Sequence, residues 1–287
     1  MKTIATINFK GGVGKTTVTW CLGDLLANFT KSKTLLFDLD AQMSMTQAIA
    51  LDADGNSSGK FGTWYDGAIA NNRNMFALLR RFLDSNLNGV NIDNGFVYRL
   101  GENYHFVPST EQLYWLELDE MDPAKAKFFI KELMGKVAAS AALPKYDYAL
   151  FECPPSFTTL SYSVLTNCDL ILVPVNPDFF AAKGVSLLLA GLHHRIQPHP
   201  LPKLAVFVNR ARTYGGHPTK AAQAWIADVR EACENVGKQI DRTVHFLEAW
   251  IPDRASLRDA ITNRATPAEL VPTFRDLWDQ SKGLLAR

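Results

Sequence analysis

A glycine-rich loop near the amino terminus constrains the fold of this chain more than any other feature. The loop Lys10–Thr17 reads Lys-Gly-Gly-Val-Gly-Lys-Thr-Thr and separates a β-branched apolar segment, Thr3–Phe9, from a helical pattern, Lys15–Phe29. Glycines allow backbone N–H groups to turn inward around phosphate oxygens, and the start of a helix adds positive potential there. Strand, loop and helix in this order predict a nucleotide phosphate site at one edge of a sheet.

The side chains of the loop suit the phosphates of ATP and a magnesium ion. Lys15 is placed to reach the β- and γ-phosphates, and the hydroxyl of Thr16 is placed to bind Mg²⁺. The remaining loop residues would surround the phosphates with backbone N–H groups. The predicted nucleotide-binding residues of the loop are Gly11, Gly12, Val13, Gly14, Lys15, Thr16 and Thr17.

Short apolar segments alternate with longer helical patterns along the chain. The strand candidates are Thr3–Phe9, Thr34–Leu39, Tyr104–Val107, Tyr148–Glu152, Leu170–Val173, Leu204–Val208 and Thr243–Phe246. The helical candidates are Lys15–Phe29, Asp122–Ala142, Phe180–Gln197, Thr219–Val236 and Pro272–Leu285. Several strands are apolar almost throughout, as in a parallel sheet covered on both faces. The alternation predicts an α/β fold with a doubly wound, mostly parallel sheet.

Residues Leu51–Gly101 interrupt this alternation. The segment is rich in asparagine and glycine and contains one amphipathic piece, Met75–Phe82. We interpret residues 51–101 as an insertion of helices and loops within a single domain that spans residues 1–287.

Composition excludes several classes of protein. Hydrophobic residues make up 47% of the 287 residues and charged residues 21%, which excludes a largely disordered chain. No apolar run approaches the roughly 20 residues that a transmembrane helix needs. The amino terminus does not resemble a signal peptide, so a cytoplasmic protein is expected. The four cysteines lack the spacing of a zinc site or a disulfide framework.

The loop departs from the common phosphate-loop pattern, which would require glycine where Phe9 stands. It matches instead a variant with an additional lysine, Lys10, and so resembles the ParA/MinD family of deviant Walker A ATPases. The resemblance is to ParA-type partition ATPases that lack an amino-terminal helix-turn-helix. It implies P-loop NTPase topology of the SIMIBI class, ATP hydrolysis and an ATP-bound homodimer. In such a dimer Lys10 acts catalytically on the phosphates of the partner's nucleotide.

Two acidic motifs extend the resemblance. Asp38-Leu39-Asp40-Ala41-Gln42 is similar to the family's Asp-x-Asp-Pro-Gln, with alanine in place of proline, and implies that Asp40 positions the attacking water and lies near the metal. Tyr146–Ser156 is similar to the family's Walker B segment, except that Glu152 replaces aspartate. Glu152 is expected to contact Mg²⁺ through water, and its added methylene predicts slow turnover because Mg²⁺ demands near-ideal octahedral geometry.

Later segments resemble the parts of the family that contact adenine. Val208-Asn209-Arg210 matches the strand whose asparagine reads the base, and Ile251-Pro252-Asp253-Arg254 matches the loop that surrounds it. An amide suits the donor and acceptor edge of adenine. Asn209, Pro252 and Asp253 are therefore predicted to bind nucleotide.

The branches of this family differ in their partners, and three alternatives are open. A partition ATPase binds DNA non-specifically in its ATP state and is stimulated by a ParB-like adaptor. A MinD-like ATPase binds a membrane through a basic amphipathic tail, whereas the tail here, Phe274–Arg287, is near neutral. An iron–sulfur reductase needs cysteines at the dimer axis, and those of this chain lack that pattern.

The distribution of charge favours DNA. Net charge is only +1, but residues 1–180 contain 15 basic and 19 acidic residues, whereas residues 181–287 contain 15 and 10. No acidic residue lies between Asp178 and Asp228. Cations on one face are sufficient for phosphate contacts. The predicted DNA-binding residues are Arg212, Lys220, Arg254 and Arg258. A cytoplasmic, nucleoid-associated protein is expected.

Overall fold

The computed structural model describes residues 1–51, 59–85, 90–116, 123–196 and 202–286. In these ranges a central sheet contains eight strands, and a separate ribbon contains two. In chain order the strands are β1 (Lys2–Thr6), β2 (Thr34–Asp38), β3 (Tyr98–Arg99), β4 (Tyr104–Val107), β5 (Tyr148–Glu152), β6 (Leu170–Val175), β7 (Lys203–Ala211), β8 (Thr213–Tyr214), β9 (His217–Pro218) and β10 (Val244–Pro252). The order across the sheet is β10-β7-β6-β1-β5-β2-β4-β3, and β8 pairs with β9.

Helices connect the strands. They are α1 (Lys15–Asp24), α2 (Ser44–Ala50), α3 (Gly59–Ala70), α4 (Met75–Asp84), α5 (Gln112–Leu116), α6 (Pro123–Ala126), α7 (Phe129–Ala139), α8 (Thr159–Asn167), α9 (Ala181–Arg195), α10 (Lys220–Gln239) and α11 (Val271–Leu285). A π-helical turn, Leu25–Phe29, continues α1. Short 3₁₀ turns occur at Asn94–Phe96, Ala255–Leu257 and Ala268–Leu270. In the part of the chain that the structure describes, no helix is long and apolar enough to cross a membrane.

The sheet separates two hydrophobic cores, because successive side chains of a strand point to opposite faces. In β1, Ala5 belongs to one core and Ile4 to the other. Helices α4, α7, α8, α9 and α10 contribute to the core that contains Ala5. Helices α1, α2, α3 and α11 contribute to the core that contains Ile4. Within the central sheet β3 pairs antiparallel with β4, whereas the other pairs are parallel, so the predicted doubly wound α/β fold is confirmed.

Several predicted boundaries differ from those of the structure. The helix predicted over Asp122–Ala142 is two helices, α6 and α7, because the chain turns at Lys127–Phe128. Asp122 and Gln197, the ends of two predicted helices, lie outside the described residues. Strand β1 ends at Thr6 rather than Phe9, because the chain leaves the sheet to enter the loop. Helix α8 was not predicted; it begins at a capping box formed by Thr158 and Ser161.

The described part of residues 51–101 packs on both faces of the sheet. Helix α3 places Phe61 in the core that contains Ile4, and α4 places Leu78 and Phe82 in the opposite core. Strand β3 forms one edge of the sheet. Residues 52–58 and 86–89 of this segment lie outside the described residues, and its interpretation as an insertion within one domain stays a prediction.

Candidate phosphate, metal and base site

The glycine-rich loop lies at the carboxyl edge of the sheet, between β1 and α1. Gly12 and Gly14 have φ of +73° and +84°, a backbone region that favours glycine. Gly14 directly precedes α1, and no side chain caps the first turn of that helix. A Cβ at Gly14 would lie 2.4 Å from Nδ2 of Asn209. The free N–H groups of the first turn are therefore available to an anion, and the adjoining backbone admits only glycine.

Side chains from the ends of β6 and β7 hold the carbonyl groups of the loop. Asn209 Nδ2 donates to the carbonyl of Val13 at 2.7 Å. Arg210 Nη1 donates to the carbonyl of Gly12 at 3.0 Å, and Asn176 Nδ2 approaches the same carbonyl at 3.4 Å. These side chains bind the carbonyl groups of the loop, so the N–H groups of the loop are available to bind phosphates. Arg210 and Asn176 were not predicted as site residues; they lie two and three residues beyond the predicted strands Leu204–Val208 and Leu170–Val173, which was the available signal.

Lys15 is the cation of the predicted phosphate site and is 7% exposed. Burial lowers the pKa of its ammonium group, and the nearby carboxylates of Glu152 and Asp40 oppose that change. The predicted Lys15, Asp40 and Glu152 are thus brought together around one point.

The two aspartates after β2 have different surroundings. Asp38 is fully buried and accepts hydrogen bonds from Oγ1 and N of Thr46, at 2.7 and 3.0 Å, and from N of Asp40, at 3.1 Å. Burial raises the pKa of Asp38 to about 6. Asp40 is 8% exposed and accepts one hydrogen bond from N of Gln42 at 2.9 Å. Asp38 is therefore committed to the fold of this loop, whereas Asp40 keeps acceptor capacity for a ligand or water.

Glu152 and Thr16 form the predicted metal site. The hydroxyl of Thr16 donates directly to Oε1 of Glu152. Glu152 is 1% exposed, and among the described residues its Oε2 has no hydrogen-bond partner. Burial, followed by the charge of Asp38, raises the pKa of the Glu152 carboxyl well above its usual range. A buried oxygen without a partner beside a hydroxyl fits a hard cation such as Mg²⁺.

The metal site is incomplete without other ligands. Within the described residues, no cluster of three or more His, Cys, Asp or Glu side chains could hold a metal ion. This matches the coordination habit of Mg²⁺, which uses one or two protein ligands together with phosphate oxygens and water.

Lys10 does not point into the phosphate site of its own chain. Its Nζ lies 2.5 Å from Oδ2 of Asp178, and both side chains are close to half exposed, at 48% and 40%. The backbone N of Lys10 donates to Oδ1 of Asn8, whose Nδ2 donates to the carbonyl of Pro174 at 2.8 Å. The two lysines of the loop are therefore held in different directions, with Lys15 inward and Lys10 outward.

A cavity of about 250 Å³ adjoins the loop and is sized for a heterocyclic base. It brings together the predicted Asn209 and Asp253, and within the described residues Oδ1 of Asn209 is buried without a partner. Pro252 lines a neighbouring cavity of about 480 Å³ instead. The residues that line the cavity beside the loop are Gly14, Thr17, Val18, Asn209, Arg210, Asp253, Arg254, Leu257, Arg258 and Phe274.

The four predicted DNA-binding residues fall into two groups. Arg254 and Arg258 line the base-sized cavity. Arg212 and Lys220 are exposed and flank the ribbon of β8 and β9. All four side chains are exposed; Arg212 and Lys220 lie beside the ribbon, and Arg254 and Arg258 lie beside the base-sized cavity.

Known proteins resemble this chain in sequence and in fold. The family model AAA_31, described as an AAA domain, matches residues 1–205. A ParA family protein of Chlamydia pneumoniae is 29% identical over 209 residues, which cover 72% of this chain and 71% of that protein. The ATP complex of McdA from Cyanothece superposes with a TM-score of 0.71 at 17% identity, covering 100% of this chain and 96% of that one. The pNOB8 ParA protein bound to non-specific DNA gives 0.67 at 19% identity, covering 98% and 99%.

Proposed function

Because this chain belongs to the AAA domain family AAA_31 and is a ParA/MinD-type partition ATPase, we propose that it works as an ATP-dependent homodimer that binds DNA non-specifically. Hydrolysis of ATP, stimulated by a ParB-like adaptor, releases the dimer from DNA and so positions a plasmid, a chromosomal region or another cargo. The observation that carries this proposal is the convergence of Lys15, Thr16, Asp40 and Glu152 at a loop whose second lysine, Lys10, points away.

The site of one chain binds and orients the nucleotide. Lys15 and the N–H groups of the loop would hold the phosphates, and the buried Oδ1 of Asn209 would accept a hydrogen bond from the exocyclic amine of adenine. Thr16 and Glu152, together with Asp40, would hold Mg²⁺. The metal neutralises charge on the β- and γ-phosphates when it is bound. Asp40 orients the water that attacks the γ-phosphate.

The second chain completes the site. Lys10 leaves Asp178 and reaches the phosphates of the partner's nucleotide, where a second cation stabilises the negative charge of the transition state. Hydrolysis then depends on dimerisation, because neither chain supplies both lysines to one nucleotide.

Glu152→Asp is expected to raise ATPase activity. Glu152 contacts the hydroxyl of Thr16 directly, so shortening the side chain by one methylene leaves room for water between the carboxylate and the metal. We expect a roughly threefold to tenfold increase in turnover, equivalent to about 1 kcal/mol in the barrier. Steady-state phosphate release measures it, with Glu152→Gln as the control that loses the charge and the activity. A decrease for Glu152→Asp would mean that the site has adapted to glutamate.

DNA binding by the ATP-bound protein tests the proposed function most directly. We expect affinity for duplex DNA of arbitrary sequence to appear with ATP and to fall steeply with salt, since phosphate contacts release counterions. Arg212→Glu replaces an exposed cation with an anion and is expected to weaken binding by about 100-fold. Fluorescence anisotropy at several salt concentrations measures both effects, with Arg275→Glu on α11 as the matched control. DNA affinity that does not change with salt concentration, or that is the same for Arg212→Glu, would contradict the proposal.

The structure of α11 favours DNA over a membrane surface as the partner. Phe274, Leu277 and Trp278 of this helix are buried in the core that contains Ile4. A membrane anchor needs an apolar face that is available to lipid. The apolar face of α11 packs in the core and is therefore not available to lipid. We propose that the protein acts in the cytoplasm, on the nucleoid.

A further inference from the structure

The ribbon of β8 and β9 projects one aromatic side chain into solvent. Tyr214 pairs with His217, and the two central glycines, Gly215 and Gly216, have φ of +58° and +82°. A turn with two positive φ values matches the right-handed twist of a hairpin. Tyr214 is 87% exposed, the largest exposed fraction among the described large apolar and aromatic residues.

The base of the ribbon is fixed by hydrogen bonds. N of Thr219 donates to the carbonyl of Arg212 at 2.9 Å, and N of Asp253 donates to the carbonyl of Ala211 at 2.9 Å. Nη1 of Arg254 donates to Oγ1 of Thr213 at 3.0 Å. The exposure of Tyr214 therefore belongs to a defined hairpin, which holds the ring away from both cores.

The surroundings of Tyr214 are basic. Arg212, His217 and Lys220 are exposed on and beside the ribbon, and the sequence contains no acidic residue from position 179 to position 227. Three carboxylates lie near the ribbon and have partners: Asp253 pairs with Arg210, Glu269 accepts from Ser256, and Asp276 accepts from Gln280. A projecting ring flanked by exposed cations suits a polyanion that also offers apolar surface, which describes nucleic acid.

We propose that the ribbon enters the major groove of duplex DNA, with the ring of Tyr214 against the bases or sugars and Arg212 and Lys220 on phosphates at either side. The groove is about 12 Å wide and admits a two-stranded ribbon. This inference rests on the proposed function and adds to it the structural element that enters the major groove. Contact through one ring, without a set of amide or carboxylate side chains at the tip, leaves the binding insensitive to sequence.

The ribbon is linked to the nucleotide site. Strand β7 carries Asn209 and Arg210, which hold the loop carbonyls, and continues directly into Arg212. Arg254 lines the base-sized cavity and also bonds Thr213 at the root of the ribbon. A base bound in this cavity would lie beside Arg254, the residue that also fixes the ribbon, and so could couple the nucleotide to the DNA contact.

Tyr214→Ala tests the inference in the full-length protein with ATP, Mg²⁺ and a fluorescent duplex. We expect affinity to fall about tenfold with an unchanged salt slope, because the ring neutralises no phosphate. Arg212→Ala is expected to lower the salt slope by about one. Tyr214→Phe retains the ring and should bind as the unmodified protein does. Tyr114→Ala removes another tyrosine, 61% exposed on α5, and is the matched control that should not change binding.

A second readout does not depend on affinity. A photoreactive phenylalanine analogue at position 214 is expected to crosslink to the duplex in the presence of ATP, whereas the same analogue at position 114 is not. Unchanged affinity of Tyr214→Ala, or crosslinking at 214 to anionic phospholipid vesicles in preference to DNA, would overturn the inference and leave the ATPase intact. Failure of the unmodified protein to bind any duplex would instead contradict the proposed function itself.

Discussion

A Lys15→Met protein is expected to lose ATP binding and turnover by roughly 100- to 1,000-fold each. Lys15 is buried, and Glu152 and Asp40 are the carboxylates that oppose the loss of its charge. Methionine keeps most of the apolar length of the side chain but removes the cation from the phosphate site. The two acids then lose their nearest positive charge, and the site repels the nucleotide that it otherwise attracts.

A fluorescent ATP analogue measures the binding, and phosphate release measures the turnover. Lys10→Ala is the matched control, because the second lysine of the same loop pairs with Asp178 and lies outside the phosphate site of its own chain. That protein should bind ATP as a monomer and fail to hydrolyse it. Lys15→Arg, which keeps the charge, and a thermal melt of each variant separate lost chemistry from lost folding. Tight ATP binding by a folded Lys15→Met protein would refute the assignment of this loop.

Asp40→Ala is expected to keep ATP binding, to lose turnover and to trap the protein as a dimer. The residue is buried, and among the described residues its carboxylate accepts a hydrogen bond from the backbone N of Gln42. Its removal leaves Lys15, Thr16 and Glu152 in place but takes away the group that orients the attacking water. Turnover should fall by a factor of about 10² to 10⁴ while ATP still binds. The ATP-bound dimer, which hydrolysis normally removes, should then accumulate.

Light scattering after gel filtration reports the mass of the complex. We expect a dimer with ATP and a monomer with ADP. Asp38→Ala is a poor substitute for this test, because Asp38 accepts hydrogen bonds from Thr46 and holds the loop itself. The double variant Lys10→Ala/Asp40→Ala should remain a monomer with ATP. A monomeric Asp40→Ala protein at saturating ATP would contradict the proposed dimer.

The parts of the site that follow a strand in sequence could be predicted, because the topology of a parallel sheet brings them to one edge. Lys15 begins the helix that follows β1, Asp40 lies two residues beyond the end of β2, and Glu152 is the last residue of β5; the structure places the three side chains together. The partner of Lys10 could not be predicted, since Asp178 is 168 residues away and the pairing depends on how a loop and a helix start meet in space.

The local geometry beyond these strands also escaped prediction. Arg210 has φ of +57°, an uncommon conformation for arginine, and this turns its side chain toward the carbonyl of Gly12, 198 residues earlier. The ribbon of β8 and β9 has strands of two residues each, too short for a periodic pattern to register. The composition of residues 51–101 and the amphipathic piece Met75–Phe82 indicated helices and loops, but not that α3 and α4 pack on opposite faces of the sheet.

The outward ion pair of Lys10 makes assembly of the proposed dimer an exchange reaction. A lysine already bonded to Asp178 must give up that carboxylate before it can meet a phosphate on another chain. An exposed ion pair of this kind contributes only about 0–1 kcal/mol, so breaking it costs little free energy. The phosphate must nevertheless bind Lys10 more strongly than Asp178 does. A γ-phosphate adds negative charge and wins more readily than a diphosphate. In the proposed dimer, the carboxylate of Asp178 would therefore compete with the partner's nucleotide for Lys10, and ATP would compete more strongly than ADP.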